Sequence, residues 1–322
     1  IFNAIVSSLP VQLIIKQSLI IFLLFLVAPS QLLSIDNIDD KGIIVLMYHR
    51  FDENKYPSTN IKIADFIKHL NLIKKKQFKF VNPTDFEDEL VNKKKERKIL
   101  LTIDDGFRSF YEQAWPILKE EKIPFILFVS TQEVGKKGYM DWSQIKEVSK
   151  EKFAHIGNHS YSHEYLIDMN DQEIIDDIKV ASSNFKDNLG YNSPFFSYPF
   201  GEYSSSFKTI VKNLKFKYAF GQHSGVIDET KDFYELPRFP INEAYGELKR
   251  FETILKTIPL KFKSISPEEK YIQESNNPPK VTVEFFEGQK NLNLLNCYSN
   301  ELNSWRKSEI EFLDTYKIKI NL

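Results

Sequence analysis

The chain has 322 residues, 42% hydrophobic and 27% charged, enough for one large α/β domain with an ordinary core and a smaller appendage. The formal net charge is −1, so the basic stripe of a nucleic-acid-binding protein is missing, and the runs Lys74–Lys76 and Lys93–Lys95 read as solvated faces. Cys297 is the single cysteine, which excludes an internal disulfide and a Cys-rich zinc site.

In chain order, Lys16 precedes an apolar run from Leu19 to Ala28 that ends in Ala28-Pro29-Ser30, the pattern of a secretory signal peptide. The run is shorter than the ~20 residues that cross a bilayer. Leu9–Ile15 is apolar too, so a retained membrane anchor is the alternative for residues 1–34. The expectation is an exported protein of the periplasm, cell envelope or medium. Ile43–Met47 then reads as a buried strand, Ile63–Lys75 as a helix, Lys98–Ile103 as a strand, Ser109–Glu121 as a helix and Pro124–Ser130 as a strand. Asp141 caps a helix toward Lys150. Phe153–Gly157 is a strand, Asp171–Leu189 a long amphipathic helix, Phe195–Tyr198 a strand, Ser204–Leu214 a helix and Lys217–Phe220 a strand. Short apolar strands alternating with helices predict parallel βα units, as a barrel or a wound sheet. The alternation stops after a helix at Ala244–Lys256. Residues 264–280, with Ser266-Pro267 and Asn276-Asn277-Pro278-Pro279, have linker composition. Val281–Phe286, Leu292–Cys297 and Ile310–Ile320 alternate like strands of a small β domain, 281–322, complete or cut short by the end of the chain.

Three clusters follow predicted strands, where active sites of βα barrels assemble. In Thr102-Ile103-Asp104-Asp105-Gly106, two adjacent carboxylates resist burial unless a cation accompanies them. In His159-Ser160-Tyr161-Ser162-His163, two imidazoles at i and i+4 can reach one metal ion. In Ser197-Tyr198-Pro199-Phe200-Gly201, a Pro/Gly turn exposes backbone N–H groups that could meet a developing oxyanion. Alone, Asp-Asp-Gly is usually a turn, a His pair is a metal site in a minority of cases, and Tyr-Pro-Phe-Gly is a turn. Their joint occurrence in this order is what carries weight.

These motifs resemble the polysaccharide deacetylases with a NodB-homology domain, carbohydrate esterase family 4. Thr102–Gly106 is similar to that family's Thr-Phe-Asp-Asp-Gly with Ile103 for Phe, His159–His163 to its His-Ser/Thr-x-x-His, and Pro199-Phe200 to its Pro-aromatic turn. Leu46–Phe51 and Gly138–Trp142 look like the branch acting on exopolysaccharides such as poly-N-acetylglucosamine. The resemblance runs from about Gly42 to Asn242 and implies a distorted (β/α) barrel of about seven strands, residues 35–263 being the deacetylase domain. It implies that Asp105, His159 and His163 ligate one divalent metal, zinc or else iron, cobalt or nickel. It implies Asp104 as general base and the Phe200 N–H as oxyanion donor, with an N-acetylated polysaccharide as substrate.

Two departures stand out. The family's third motif begins with an Arg that steadies the base, absent from Phe195-Phe196-Ser197-Tyr198; Arg238 is the candidate replacement. The family's late acidic His has no counterpart after His223, which is the candidate substitute. Tyr198, Pro199, Tyr139, Trp142 and His49 are candidates for lining the substrate pocket, and Tyr203 for stacking on a sugar. Competing readings are a non-catalytic glycan-binding or scaffold protein that keeps the fold, and a non-haem iron oxygenase with two His and one carboxylate.

Overall fold

The computed structural model describes residues 42–91, 96–301 and 304–322. The expected signal peptide or anchor, 1–34, and the run Lys93–Lys95 lie outside them. Among the described residues no helix is long and apolar enough to cross a membrane. The strands in chain order are β1 (Ile43–Tyr48), β2 (Arg50–Phe51), β3 (Asn60–Ile61), β4 (Lys79–Phe80), β5 (Lys98–Ile103), β6 (Phe125–Val129), β7 (Ala154–Asn158), β8 (Phe195–Ser197), β9 (Tyr218–Phe220), β10 (Val226–Ile227) and β11 (Phe239–Pro240). A second group follows: β12 (Phe262–Ser266), β13 (Val281–Phe285), β14 (Cys297–Glu301), β15 (Ser304–Asp314) and β16 (Lys317–Asn321).

The main sheet runs β10-β1-β5-β6-β7-β8-β9, with β4 added to β5 and β11 to β1. Its neighbours from β1 to β9 are parallel, as helical crossovers require. The sheet curls into a half-barrel, and residues 236–241 span its open side. Leu236 bridges to Phe220 of β9, Arg238 N–H donates to His223 O at 2.9 Å, and Phe239-Pro240 pairs with Leu46-Met47 of β1. This spanning segment carries Arg238 across the mouth of the curl.

Strand alternation sorts the side chains into two layers. Ile43, Val45, Leu100, Ile126, Phe128, Phe195 and Phe220 pack together on the concave side. Ile44, Leu46, Tyr48, Leu101, Ile103, Leu127 and Val129 pack outward against the helices. Counting on by twos, the concave positions at the strand tops are His49, Asp104, His159 and Ser197. A Cβ on Gly157, one step below His159, would sit 2.3 Å from the Phe128 ring. Only glycine leaves room for that ring beneath the site.

The helices Ile63–Lys75 and Asp171–Leu189 begin and end as the sequence predicts. The second is fixed by an Asn170/Glu173 capping box at its start and Gly190 in the left-handed conformation at its end. The helix expected over Ser109–Glu121 is split into a π-turn at Phe110–Ala114 and an α-helix at Trp115–Glu121. Pro116, lacking an N–H, sits at the junction, where it cannot continue an unbroken ladder. The helix expected from Ala244 starts at Leu248, because Tyr245 N–H is turned onto Asn242 Oδ1 at 2.8 Å.

The second sheet is antiparallel, in the order β12-β13-β16-β15-β14. It differs from expectation in three places. Ser264-Ile265-Ser266, read as linker, belongs to β12 and pairs with β13. Leu292–Leu294 is a 3₁₀ turn, and the strand begins at Cys297. Ile310–Ile320 is two strands of a hairpin, broken where Tyr316 N–H donates to Asp314 Oδ1 at 2.7 Å. An aspartate-centred turn without Gly or Pro leaves little mark in a sequence.

Candidate metal centre

Asp104 and Asp105 follow β5 and diverge. Asp104 continues the concave alternation and is fully buried. Its N–H is held by Tyr48 O at 2.9 Å. Arg238 grips its carboxylate with two parallel bonds, Nη1 to Oδ1 at 2.7 Å and Nη2 to Oδ2 at 2.8 Å. The guanidinium is equally buried and also donates to Gly221 O, Thr102 Oγ1 and Ser197 Oγ. Ser197 stands where the third motif lacks its Arg, and its small side chain leaves the space that Arg238 fills from the spanning segment. Burial pushes the Asp104 carboxyl up, but Arg238 and then His159 outweigh it and hold the group below its ordinary value.

Asp105 turns away through a left-handed backbone, φ 75°. Its Oδ1 lies 3.3 Å from His159 Nε2 and 3.2 Å from His163 Nε2. One donor atom from each of the three residues falls within 4.8 Å of the others. A loop clamped from below presents the imidazoles. Asp177, on the helix Asp171–Leu189, accepts from Tyr161 N–H at 2.7 Å and Ser162 N–H at 3.0 Å. Ser160 N–H donates to Asn158 Oδ1 and His163 N–H to Ser160 Oγ. Ser160 and His163 take φ 69° and 55°, and Phe200 takes 58°. With Asp105, four of the nine non-glycine positive-φ residues in the described chain cluster here, a concentration of backbone strain that marks functional sites.

The donor set fits a cation. His159 Nδ1 faces Ser197 O at 2.7 Å, and a carbonyl accepts only, so Nδ1 carries a proton and in the neutral imidazole Nε2 keeps its lone pair. That lone pair points at Asp105 Oδ1, itself buried and without a hydrogen-bond partner. With the imidazole neutral, these two atoms are both acceptors at 3.3 Å, an arrangement that a cation between them stabilises. Two imidazoles and a carboxylate suit zinc and equally iron, cobalt or nickel.

The pocket over this centre has a volume of about 410 Å³ and is lined by His49, Asp105, His159, His163, Tyr165, Phe200, Gln222, Asn242 and Tyr245, among others. His49, immediately after β1, thus lines this pocket. Burial lowers its pKa, against the pull of Asp105 and Asp104. Phe200 exposes its ring, and its N–H donates to no group among the described residues.

Other expected site residues lie elsewhere. Tyr198 is one step out of phase with Ser197, so it points outward into the core beside Phe196 and Phe207, its hydroxyl bonded to Tyr234 O at 2.9 Å. Pro199 is buried at the same turn and does not line the pocket. Trp142 opens a helix and packs on Phe185, and Tyr139 lies against Phe107 outside the pocket lining. Tyr203 is buried against Tyr198. His223 lines a separate cavity with Tyr203, Lys231 and Phe262, and its carbonyl accepts from Arg238 N–H of the spanning segment. Tyr165, Tyr245 and Asp177 were not anticipated: Tyr165 stands two residues after His163, but nothing in its type separates a rim aromatic from a core one.

Residues 91–219 match the family model of the polysaccharide deacetylase domain. The poly-β-1,6-N-acetyl-D-glucosamine N-deacetylase of Staphylococcus aureus is 23% identical over 212 residues, 60% of this chain and 72% of that protein. Among solved structures, IcaB from Ammonifex degensii is 25% identical with a TM-score of 0.62, covering 67% of this chain and 98% of that one. The Streptococcus pyogenes deacetylase PplD, solved with acetate, superimposes with a TM-score of 0.60 at 21% identity, over 67% and 99% of the two chains, and so shares the fold. Residues 91–219 thus match a polysaccharide deacetylase domain, and over the residues that build the centre the chain is similar to deacetylases of that family.

Proposed function

We propose that this protein is a divalent-metal-dependent hydrolase that removes N-acetyl groups from an N-acetylhexosamine polysaccharide of the cell envelope. The observation that carries this reading is the convergence of one possible ligand atom each from Asp105, His159 and His163, with the charge-paired Asp104 beside it. Asp105, His159 and His163 would hold the cation, zinc suiting the set best. Such an ion lowers the pKa of water from 15.7 toward about 7 and polarises the acetamide carbonyl.

The remaining chemistry belongs to this chain's own groups. Asp104, kept ionised by Arg238, accepts the proton of the attacking water. The Phe200 N–H donates to the carbonyl oxygen as it becomes anionic, a contribution worth ~10²–10³ in rate where one such donor has been removed. His49 hands a proton to the amide nitrogen as the C–N bond breaks. One water is consumed, and acetate and a free amine leave. This assignment replaces His223, which faces the neighbouring cavity. The scaffold reading rested on the missing Arg and the missing late His; on the present reading Arg238 takes the first role and His49 the second.

The apolar run from Leu19 to Ala28 supports export. The substrate in the name of the Staphylococcus aureus relative supports an N-acetylglucosamine polymer. Residues 35–261 would form the catalytic domain, and the sheet from β12 to β16 an accessory domain.

The test is acetate release from N-acetylglucosamine oligomers, expected to stop with a chelator and return with zinc. His49→Asn should lower kcat by roughly 10²–10³ with bound zinc unchanged. A loss under about tenfold would move the acid role to another group. Failure of the zinc-loaded protein to release acetate from any N-acetylated glycan would remove the hydrolase reading itself.

A further inference from the structure

One wall of the pocket is built from rings that face water. Phe200 and Tyr165 stack with centroids 4.4 Å apart and planes 25° apart. They are 42% and 44% exposed. The Phe200 ring lies 4.9 Å from that of His163, so the stacked pair leads directly out from the metal-ligating side chains. Tyr165 is anchored at its rim by a long hydrogen bond from its hydroxyl to Glu202 Oε1, 3.4 Å. Tyr245, 49% exposed, lines the same cleft.

Packing does not explain this arrangement. Two large rings left wet forgo the gain that burial would bring, and Phe200 adds a left-handed backbone that a bulky residue adopts only under strain. Both costs are offset when a ligand covers the rings. The surface on offer is flat, electron-rich and apolar, with amide side chains of Gln222 and Asn242 elsewhere in the pocket. An equatorially substituted pyranose matches it: its ring face presents axial C–H bonds, and its polar groups radiate outward to the rim.

Building on the deacetylase reading, we infer that Tyr165, together with the Phe200 ring, is a stacking subsite for the sugar next to the one whose acetamide reacts. The protein therefore selects β-linked N-acetylhexosamine chains over the monosaccharide. The Phe200 ring and the Phe200 N–H thus serve two ends of one substrate, the neighbouring sugar and the reacting carbonyl.

The test uses the full zinc-loaded chain with Asp104→Asn, so that ligand is bound without turnover, and calorimetric titration with a β-1,6-linked N-acetylglucosamine pentamer and with the monosaccharide. The pentamer should bind more tightly than the monosaccharide. Adding Tyr165→Ala should weaken pentamer binding about tenfold, equivalent to about 1.4 kcal/mol. Tyr165→Phe, which keeps the ring and loses the Glu202 bond, should stay within about twofold, as should Tyr191→Ala, an exposed tyrosine outside the pocket. The inference is overturned if Tyr165→Ala binds like its parent, if Tyr165→Phe is as weak as Tyr165→Ala, or if pentamer and monosaccharide bind alike. Because affinity is read without catalysis, a wild type that binds the pentamer but releases no acetate would sink the hydrolase reading and leave the subsite standing.

Discussion

Asp104→Asn should lower acetate release by roughly 10²–10⁴ while leaving the bound metal in place. The substitution is nearly isosteric, so the carboxamide oxygen can still accept from Arg238. What disappears is the ability to take a proton from water. Asp104 is not one of the three converging donors, its nearest approach to an imidazole being 3.8 Å to His159 Nε2. Loss of turnover without loss of zinc is therefore the signature of a base. The check is acetate production alongside metal analysis on the same preparation. If the variant kept activity within about tenfold of wild type, the base would have to be another group.

Arg238→Met is expected to have the largest effect on stability, about 3–5 kcal/mol. Arginine and carboxylate are both fully buried. Removing the guanidinium leaves Asp104 with Ser197 Oγ at 3.3 Å as its remaining hydrogen-bond donor from a side chain. A buried anion with so little compensation costs far more than the pair itself contributes. The sign of the catalytic effect follows from the same charge. Without Arg238 the carboxyl pKa rises, so the acid limb of the rate profile moves to higher pH. Denaturant midpoints and a pH–rate profile report the two effects separately. Combining Arg238→Met with Asp104→Asn should recover part of the lost stability, since the uncompensated charge is then gone. A single variant as stable as wild type with an unmoved pH profile would show that Arg238 does not steady the base. Arg238→Lys should not rescue fully, because an ammonium cannot reproduce the two parallel bonds.

How much of this was legible beforehand depends on the length scale of the signal. Asp171–Leu189 was readable because period and capping residues agree, Ile63–Lys75 because its amphipathic period runs over many positions, and Lys98–Ile103 because it is a largely apolar run after Lys98. The two-residue strands β2, β3, β4, β10 and β11 were not, since two residues carry no periodicity. Yet β11 matters most for the site, because it places Arg238 beside Asp104. The loss of the third-motif Arg pointed to a replacement, and the only hint of its origin was a strand-like Leu-Pro-Arg-Phe-Pro.

The misplaced residues depend on relations that a motif does not encode. Tyr198 and Ser197 are adjacent, and a strand sends neighbours to opposite faces, so motif membership alone cannot say which of them meets substrate. His49 and His223 both follow strands. The first lines the pocket over Asp105 and His159 and the second a separate cavity, a difference that their local sequence does not carry. Tyr165 and Asp177 act through proximity that forms when the His159–His163 loop folds over the helix Asp171–Leu189.

The account stands on Asp105, His159 and His163 sharing one divalent ion. The direct measurement is zinc stoichiometry by mass spectrometry after stripping with a chelator, reloading and dialysis. About one zinc per chain is expected for wild type and Asp104→Asn, and almost none for Asp105→Ala or His159→Ala with the fold intact by circular dichroism. Full zinc retention by folded Asp105→Ala and His159→Ala proteins would contradict it.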